Sequence, residues 1–72
     1  MTEQVEHSRA SAIVTTDRDG NRAYVWPDGH HVARDGYGRM AWSLYRPEDN
    51  TPSRGTAPSY FTDTLGDAIG NI

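Results

Sequence analysis

Short stretches of alternating apolar and polar residues, separated by Asp-Gly pairs, fill the first two thirds of the chain. The pairs that begin at Asp19, Asp28 and Asp35 indicate turns, because glycine adopts the positive φ that tight turns need. In the first turn, we expect both Asp19 and Gly20 at positive φ, as in a type I′ hairpin. The alternation predicts strands at 12–17, 22–26 and 39–45, with a short run at 30–34 between them.

The last residues predict a short helix. Thr64 is placed as its N-cap and Asp67 as the capping-box residue, and an apolar stripe follows at Leu65, Ala68, Ile69 and Ile72. Before it, residues 47–59 hold three prolines and almost no apolar residue, which indicates a long loop. The predicted fold class is α+β, a small antiparallel meander of three or four strands with the C-terminal helix packed on one face.

At 72 residues the chain is long enough for one small domain. We expect a flexible N-terminal arm at 1–10 and a single domain at 11–72. The expected core is Ile13, Val14, Val25, Val32, Met40, Trp42, Leu44, Phe61, Leu65 and Ile69. Because so small a core barely offsets chain entropy, we expect a bound partner or a homodimer.

The strand at 22–26 predicts a binding surface. Arg22, Tyr24 and Trp26 share one face of it, while Ala23 and Val25 occupy the other. Arginine and aromatic residues are enriched at interfaces, so Trp26 is expected at the working surface and Trp42 in the core. The full predicted surface is Arg22, Tyr24, Trp26, Arg34, Arg39 and Tyr45.

Two adjacent histidines, His30 and His31, raise the question of a metal or catalytic site. Neighbouring strand residues point to opposite faces, so the two do not easily share one ion. Asp28 and His30 can lie on one side, but two ligands are too few, and His7 and Asp35 are only more distant candidates. We therefore expect no metal, no cofactor and no enzyme activity.

Charge and composition indicate a source and a compartment for the protein. The net charge is −3, and all seven basic residues are arginine. Lysine-free composition with seven glycines indicates a GC-rich genome, such as that of an actinobacterium or its phage. The absence of cysteine fits a reducing cytoplasm, and the polar N-terminus shows neither a signal peptide nor a long apolar run, so we expect a cytoplasmic protein without membrane contact.

These observations favour a small non-enzymatic module that binds and modulates a host protein. The first alternative is nucleic-acid binding by the arginine and aromatic face. In its order of strands followed by a helix, the chain distantly resembles the arm-binding domains of phage integrases, which implies a sheet that contacts DNA; the acidic net charge opposes it. The second alternative is a tiny metal-dependent nuclease or toxin using His30 and His31.

Overall fold

The computed structural model describes residues 6–49 and 57–72. Five antiparallel strands form one sheet in chain order, each pairing with the next: β1 (Ile13–Thr16), β2 (Arg22–Val25), β3 (His31–Ala33), β4 (Trp42–Tyr45) and β5 (Tyr60–Thr62). The helix α1 (Leu65–Gly70) follows β5. The α+β class and the C-terminal helix are confirmed, but the sheet has five strands rather than three or four. No helix in these described ranges is long and apolar enough to cross a membrane.

The strand that the sequence pattern does not predict is β5. Its three residues are too few to show a period of two. Of the predicted loop at 47–59, Pro47–Asp49 forms a single 3-10 turn, and residues 50–56 lie outside the described residues. The predicted N-terminal arm is described only from residue 6, and the flexibility of that arm stays a prediction.

The first two Asp-Gly pairs lie at turns, with Gly20 and Gly29 at positive φ, but near the third pair the glycine of positive φ is Gly38 rather than Gly36. In the first turn only Gly20 has positive φ, at 84°, so the type I′ expectation for Asp19 is wrong. The Asp17 carboxylate instead accepts the backbone N–H groups of Asp19 and Asn21, both at 2.9 Å. This side-chain bonding stabilises a three-residue turn that needs left-handed backbone at glycine alone.

One face of the sheet, the helix face, carries the main core. The strand register aligns Tyr24, Val32 and Leu44 in one row across β2, β3 and β4. Trp26 and Ala68 of α1 complete this buried cluster. The helix is held there by the predicted Thr64 cap, whose hydroxyl accepts the Asp67 N–H at 3.1 Å. Partly buried residues surround the cluster: Ala12, Trp42, Leu65, Ile69 and Ile72.

Several residues expected in the core are exposed. Ile13 and Val14 are 66% and 57% exposed because β1 is an edge strand that α1 does not reach. Met40 lies at the tip of the hairpin between β3 and β4, and Phe61 is also exposed. Val25 is only partly buried. The exposed apolar edge at β1 supports strand pairing with a second copy, and the homodimer stays a prediction.

The opposite face, the second face, is built from small residues. Ala23, Ala33 and Ser43 are paired across β2, β3 and β4, and all three are buried. Beside them, the Tyr45 hydroxyl donates a hydrogen bond to the Asp35 carboxylate. Burial, with the negative charge of Asp35, raises the pKa of Tyr45, so its hydroxyl stays protonated at neutral pH.

A close backbone approach at Gly36 gives a stability prediction. Its N–H donates to the Ala41 carbonyl at 2.9 Å, and a Cβ there would overlap the Met40 carbonyl oxygen. We expect Gly36→Ala to lower the free energy of unfolding by about 1–3 kcal/mol in urea denaturation. Gly66→Ala is the control, and we expect it to raise the free energy of unfolding by about 0.5–1 kcal/mol, because alanine is favoured over glycine within a helix. Its Cβ would meet nothing within 4 Å. Equal stabilities of both variants would contradict the crowding at Gly36.

Candidate binding groove

An open groove of about 450 Å³ lies where the helix face meets the start of α1. We name it the arginine groove, and six residues line it: Arg9, Arg22, Tyr24, Arg34, Trp42 and Leu65. Its volume falls within the range of small-ligand pockets. Strands, helix and N-terminal segment (residues 6–11) each contribute to it.

The strand register brings the arginines together. Arg22 begins β2, and Arg34 follows β3, one residue beyond the pair Ala23 and Ala33. The Arg34 N–H donates to the Arg22 carbonyl at 2.9 Å, so the two residues are cross-strand neighbours. Residues directly opposite each other project on the same face of a sheet. Both guanidiniums are therefore placed on one side by the backbone pairing itself.

Among the described residues, the groove lining holds three arginines and no acidic residue. In the described part of the chain, no carboxylate lies within ion-pair distance of Arg9, Arg22 or Arg34. All three are exposed. Like charges directly opposite on neighbouring strands destabilise a sheet, so the pairing of Arg22 with Arg34 opposes folding. An anionic ligand would relieve that repulsion.

Aromatic rings form the floor and wall of the groove. Tyr24 is only 2% exposed, and its ring centroid lies 6.1 Å from that of the partly buried Trp42. The interaction of its hydroxyl with Arg22 is the largest cause that lowers the pKa of Tyr24; burial opposes the shift, and Arg9 adds to it. The positive electrostatic potential of the arginines therefore surrounds the aromatic floor of the groove.

This arrangement suits a ligand that carries both a negative group and an apolar or planar part. Guanidinium groups bind carboxylates and phosphates through paired N–H donors. Trp42 and Leu65 offer apolar contact beside them. The guanidiniums of the lining supply hydrogen-bond donors, which suits them to hold an anionic group.

The predicted surface is only partly assembled. Arg22, Tyr24 and Arg34 come together in the arginine groove. Arg39 lies instead in a separate groove of about 390 Å³ beside β5, with Met40 and Tyr60 among its neighbours. Tyr45 is on the second face and 8% exposed. Whether these residues bind a partner stays a prediction, but Tyr24 and Tyr45 are not the exposed platform that was expected.

Trp26 is the clearest correction. The alternation correctly put it on one face with Arg22 and Tyr24, but that face is the buried one, and Trp26 is 2% exposed. The large rings of Tyr24 and Trp26 remove more apolar area from water than Ala23 and Val25, so they turn toward the helix. Trp42, expected in the core, is partly exposed at the groove.

The adjacent histidines separate as expected. His31 stacks on the cross-strand Tyr45, with ring centroids 4.4 Å apart. Burial lowers the pKa of His31, although the Gly29 backbone and Asp35 oppose the shift. His30 lies instead beside Asp28, its Nδ1 2.9 Å from the carboxylate. The two imidazoles therefore do not form one site.

Sequence reasoning missed three residues of the groove. Arg9 fell in the predicted arm, Trp42 in the predicted core and Leu65 on the helix stripe. Continuing the alternation through the hairpin would have aligned Trp42 with Arg34, because β3 and β4 pair at Ala33 and Ser43. No local sequence pattern indicates that Arg9 belongs to the groove, because its position depends on tertiary packing.

The repulsion between Arg22 and Arg34 gives a second prediction. We expect Arg34→Gln to raise the free energy of unfolding by about 0.2–1 kcal/mol at low salt, and less at high salt. Arg39→Gln, at the hairpin tip, removes the same charge and should change stability little. Urea denaturation at two salt concentrations measures both. A loss of stability in Arg34→Gln that does not depend on salt would show that the guanidinium is structurally satisfied.

Comparison with known proteins assigns the chain to no family. No protein-family model, curated protein or solved structure matches it. An origin in a phage or an actinobacterium stays a prediction from composition.

Proposed function

We propose that this chain is a non-enzymatic interaction module whose arginine groove binds an acidic segment of a partner protein. One observation carries the proposal: three exposed guanidiniums surround an aromatic floor without a carboxylate partner in the described residues. Such a cluster is electrostatically incomplete, because two of its charges lie directly opposite each other. A partner's carboxylates would complete it.

The mixed character of the groove favours a peptide over a simple anion. Asp or Glu side chains would accept paired hydrogen bonds from Arg22 and Arg34. Neighbouring apolar side chains of the same segment would pack on Trp42 and Leu65. Arginine and tryptophan are among the residues that contribute most to protein–protein binding energy. Binding of a host protein, with modulation as its consequence, is the form of this proposal that the sequence suggested.

Nucleic acid is the competing ligand, since phosphates also bind guanidiniums and a base could stack on Trp42. Two facts favour the acidic peptide. The net charge of −3 repels any polyanion, but it repels a long phosphate backbone, charged at every nucleotide, more than a segment with a few carboxylates. The groove, at about 450 Å³, accommodates a short segment rather than an extended strand. The cytoplasm, where acidic protein segments are abundant, is the compartment that we propose.

The test compares three fluorescently labelled probes with the full-length chain by anisotropy. One is a peptide alternating Glu and Leu, the second has Gln in place of every Glu, and the third is an oligothymidine of equal length. We expect the Glu peptide to bind most tightly, with an affinity that falls as salt rises. Arg22→Gln with Arg34→Gln should weaken it about tenfold or more, as expected for loss of charge-assisted bonds.

The matched control is Arg18→Gln with Arg39→Gln, which removes two arginines outside the groove and should leave binding unchanged. Circular dichroism checks that both double variants fold. Tighter binding of the oligothymidine than of the Glu peptide would assign the groove to nucleic acid. Equal binding of the Gln peptide, or full binding by Arg22→Gln with Arg34→Gln, would contradict the proposal.

A further inference from the structure

A cluster of two histidines and one aspartate lies away from the arginine groove, at the turn between β2 and β3. His7, Asp28 and His30 each offer one ligand atom, and these atoms all lie within 4.8 Å of one another. The His7 Nε2 is 2.6 Å from the Asp28 Oδ2, and the His30 Nδ1 is 2.9 Å from the same oxygen. His7 and Asp28, 21 positions apart in the chain, therefore meet at one carboxylate oxygen, which His30 also approaches.

From this geometry we infer that His7, Asp28 and His30 form a binding site for a zinc-class divalent metal ion. Two imidazole nitrogens and one carboxylate oxygen are a ligand set that zinc accepts, with water or a further group in the fourth position. Tetrahedral ligands about 2.0–2.1 Å from zinc are about 3.3 Å apart. Each histidine nitrogen needs to move less than about 1 Å away from the Asp28 Oδ2 to reach that spacing, and the two nitrogens already lie within 4.8 Å of each other.

The backbone of the turn fixes two of the ligands. Gly29 has a φ of 97° and donates its N–H to the Trp26 carbonyl at 3.1 Å. This tight turn lets the Asp28 Oδ1 accept the His30 N–H at 3.1 Å, which aims both side chains to one side. The remaining oxygen, Oδ2, is the atom that both histidines approach. The carboxylate is thus oriented before any ion binds.

The third ligand is positioned by packing. The His7 ring contacts the edge of the buried Trp26 ring, with centroids 5.7 Å apart, and the His30 ring at 5.1 Å. The two histidines are partly buried and Asp28 is exposed, with side-chain exposures of 21%, 19% and 25% for His7, His30 and Asp28. Shielding strengthens binding of a cation, and the residual exposure leaves it a path of entry.

The Asp28 carboxylate is suited to a metal at neutral pH. An aspartate carboxylate is ordinarily ionised at neutral pH, so Asp28 offers an anionic ligand. A bound ion would also tie the N-terminal segment to the β2–β3 turn.

The experiment titrates the metal-free full-length chain with zinc chloride by calorimetry, and records the imidazole ¹⁵N resonances by NMR. We expect one zinc per chain, shifts at His7 and His30 but not at His31, and a rise in Tm with zinc. His7→Gln, Asp28→Asn and His30→Gln should each weaken binding about tenfold or more, since even loss of a supporting residue costs that much.

His31→Phe is the matched control, because it removes an imidazole of the same chain and retains a ring to stack on Tyr45. Its zinc affinity should equal that of the unchanged protein. No saturable binding, or binding that survives His7→Gln, would overturn the inference and leave an ion-paired cluster only. If a ligand variant fails to fold, the NMR shifts of the unchanged protein decide the matter: zinc shifts at His31 would refute the site.

Discussion

Both candidate sites depend on the hydrogen bonds that the buried indole of Trp26 donates. Its Nε1–H donates to the Ser8 carbonyl at 3.2 Å and to the Ser11 Oγ at 3.1 Å. These bonds fasten the N-terminal segment to the main core, because Trp26 is itself 2% exposed within it. That segment carries His7 to the β2–β3 turn and Arg9 to the arginine groove. One tryptophan thus places one residue in each of two chemically different sites.

The strand register is the second constraint. The pairing that buries the core also creates a charge repulsion, which lowers stability and which a bound anion would relieve. Pairing Ala23 with Ala33 necessarily places Arg22 opposite Arg34. A slip of one residue would separate the two charges but would also turn Tyr24 away from the core. The register that buries Tyr24 therefore also keeps Arg22 and Arg34 paired at the edge of the main core. Such a local conflict between stability and charge is most often found where a protein binds something.

Features that depend on neighbouring residues in the sequence could be predicted, whereas features that depend on tertiary packing could not. The Thr64 cap and the Gly20 and Gly29 turns are local, and their positions were predicted correctly. Which face is buried depends on what covers it, so Trp26 was assigned to the wrong environment although its strand was right. β5 was missed because three residues show no period. His7 meets Asp28 only through tertiary packing, which no spacing along the chain encodes.

The most direct measurement is hydrogen exchange of the two indole N–H groups by NMR. The Trp26 indole is buried and donates to two acceptors, whereas that of Trp42 has no hydrogen-bond partner in the described residues and serves as the internal reference. The account predicts that Trp26 exchanges much more slowly than Trp42, with protection lost only on global unfolding. Equally fast exchange of both indoles would show that the N-terminal segment is not anchored and would contradict the account.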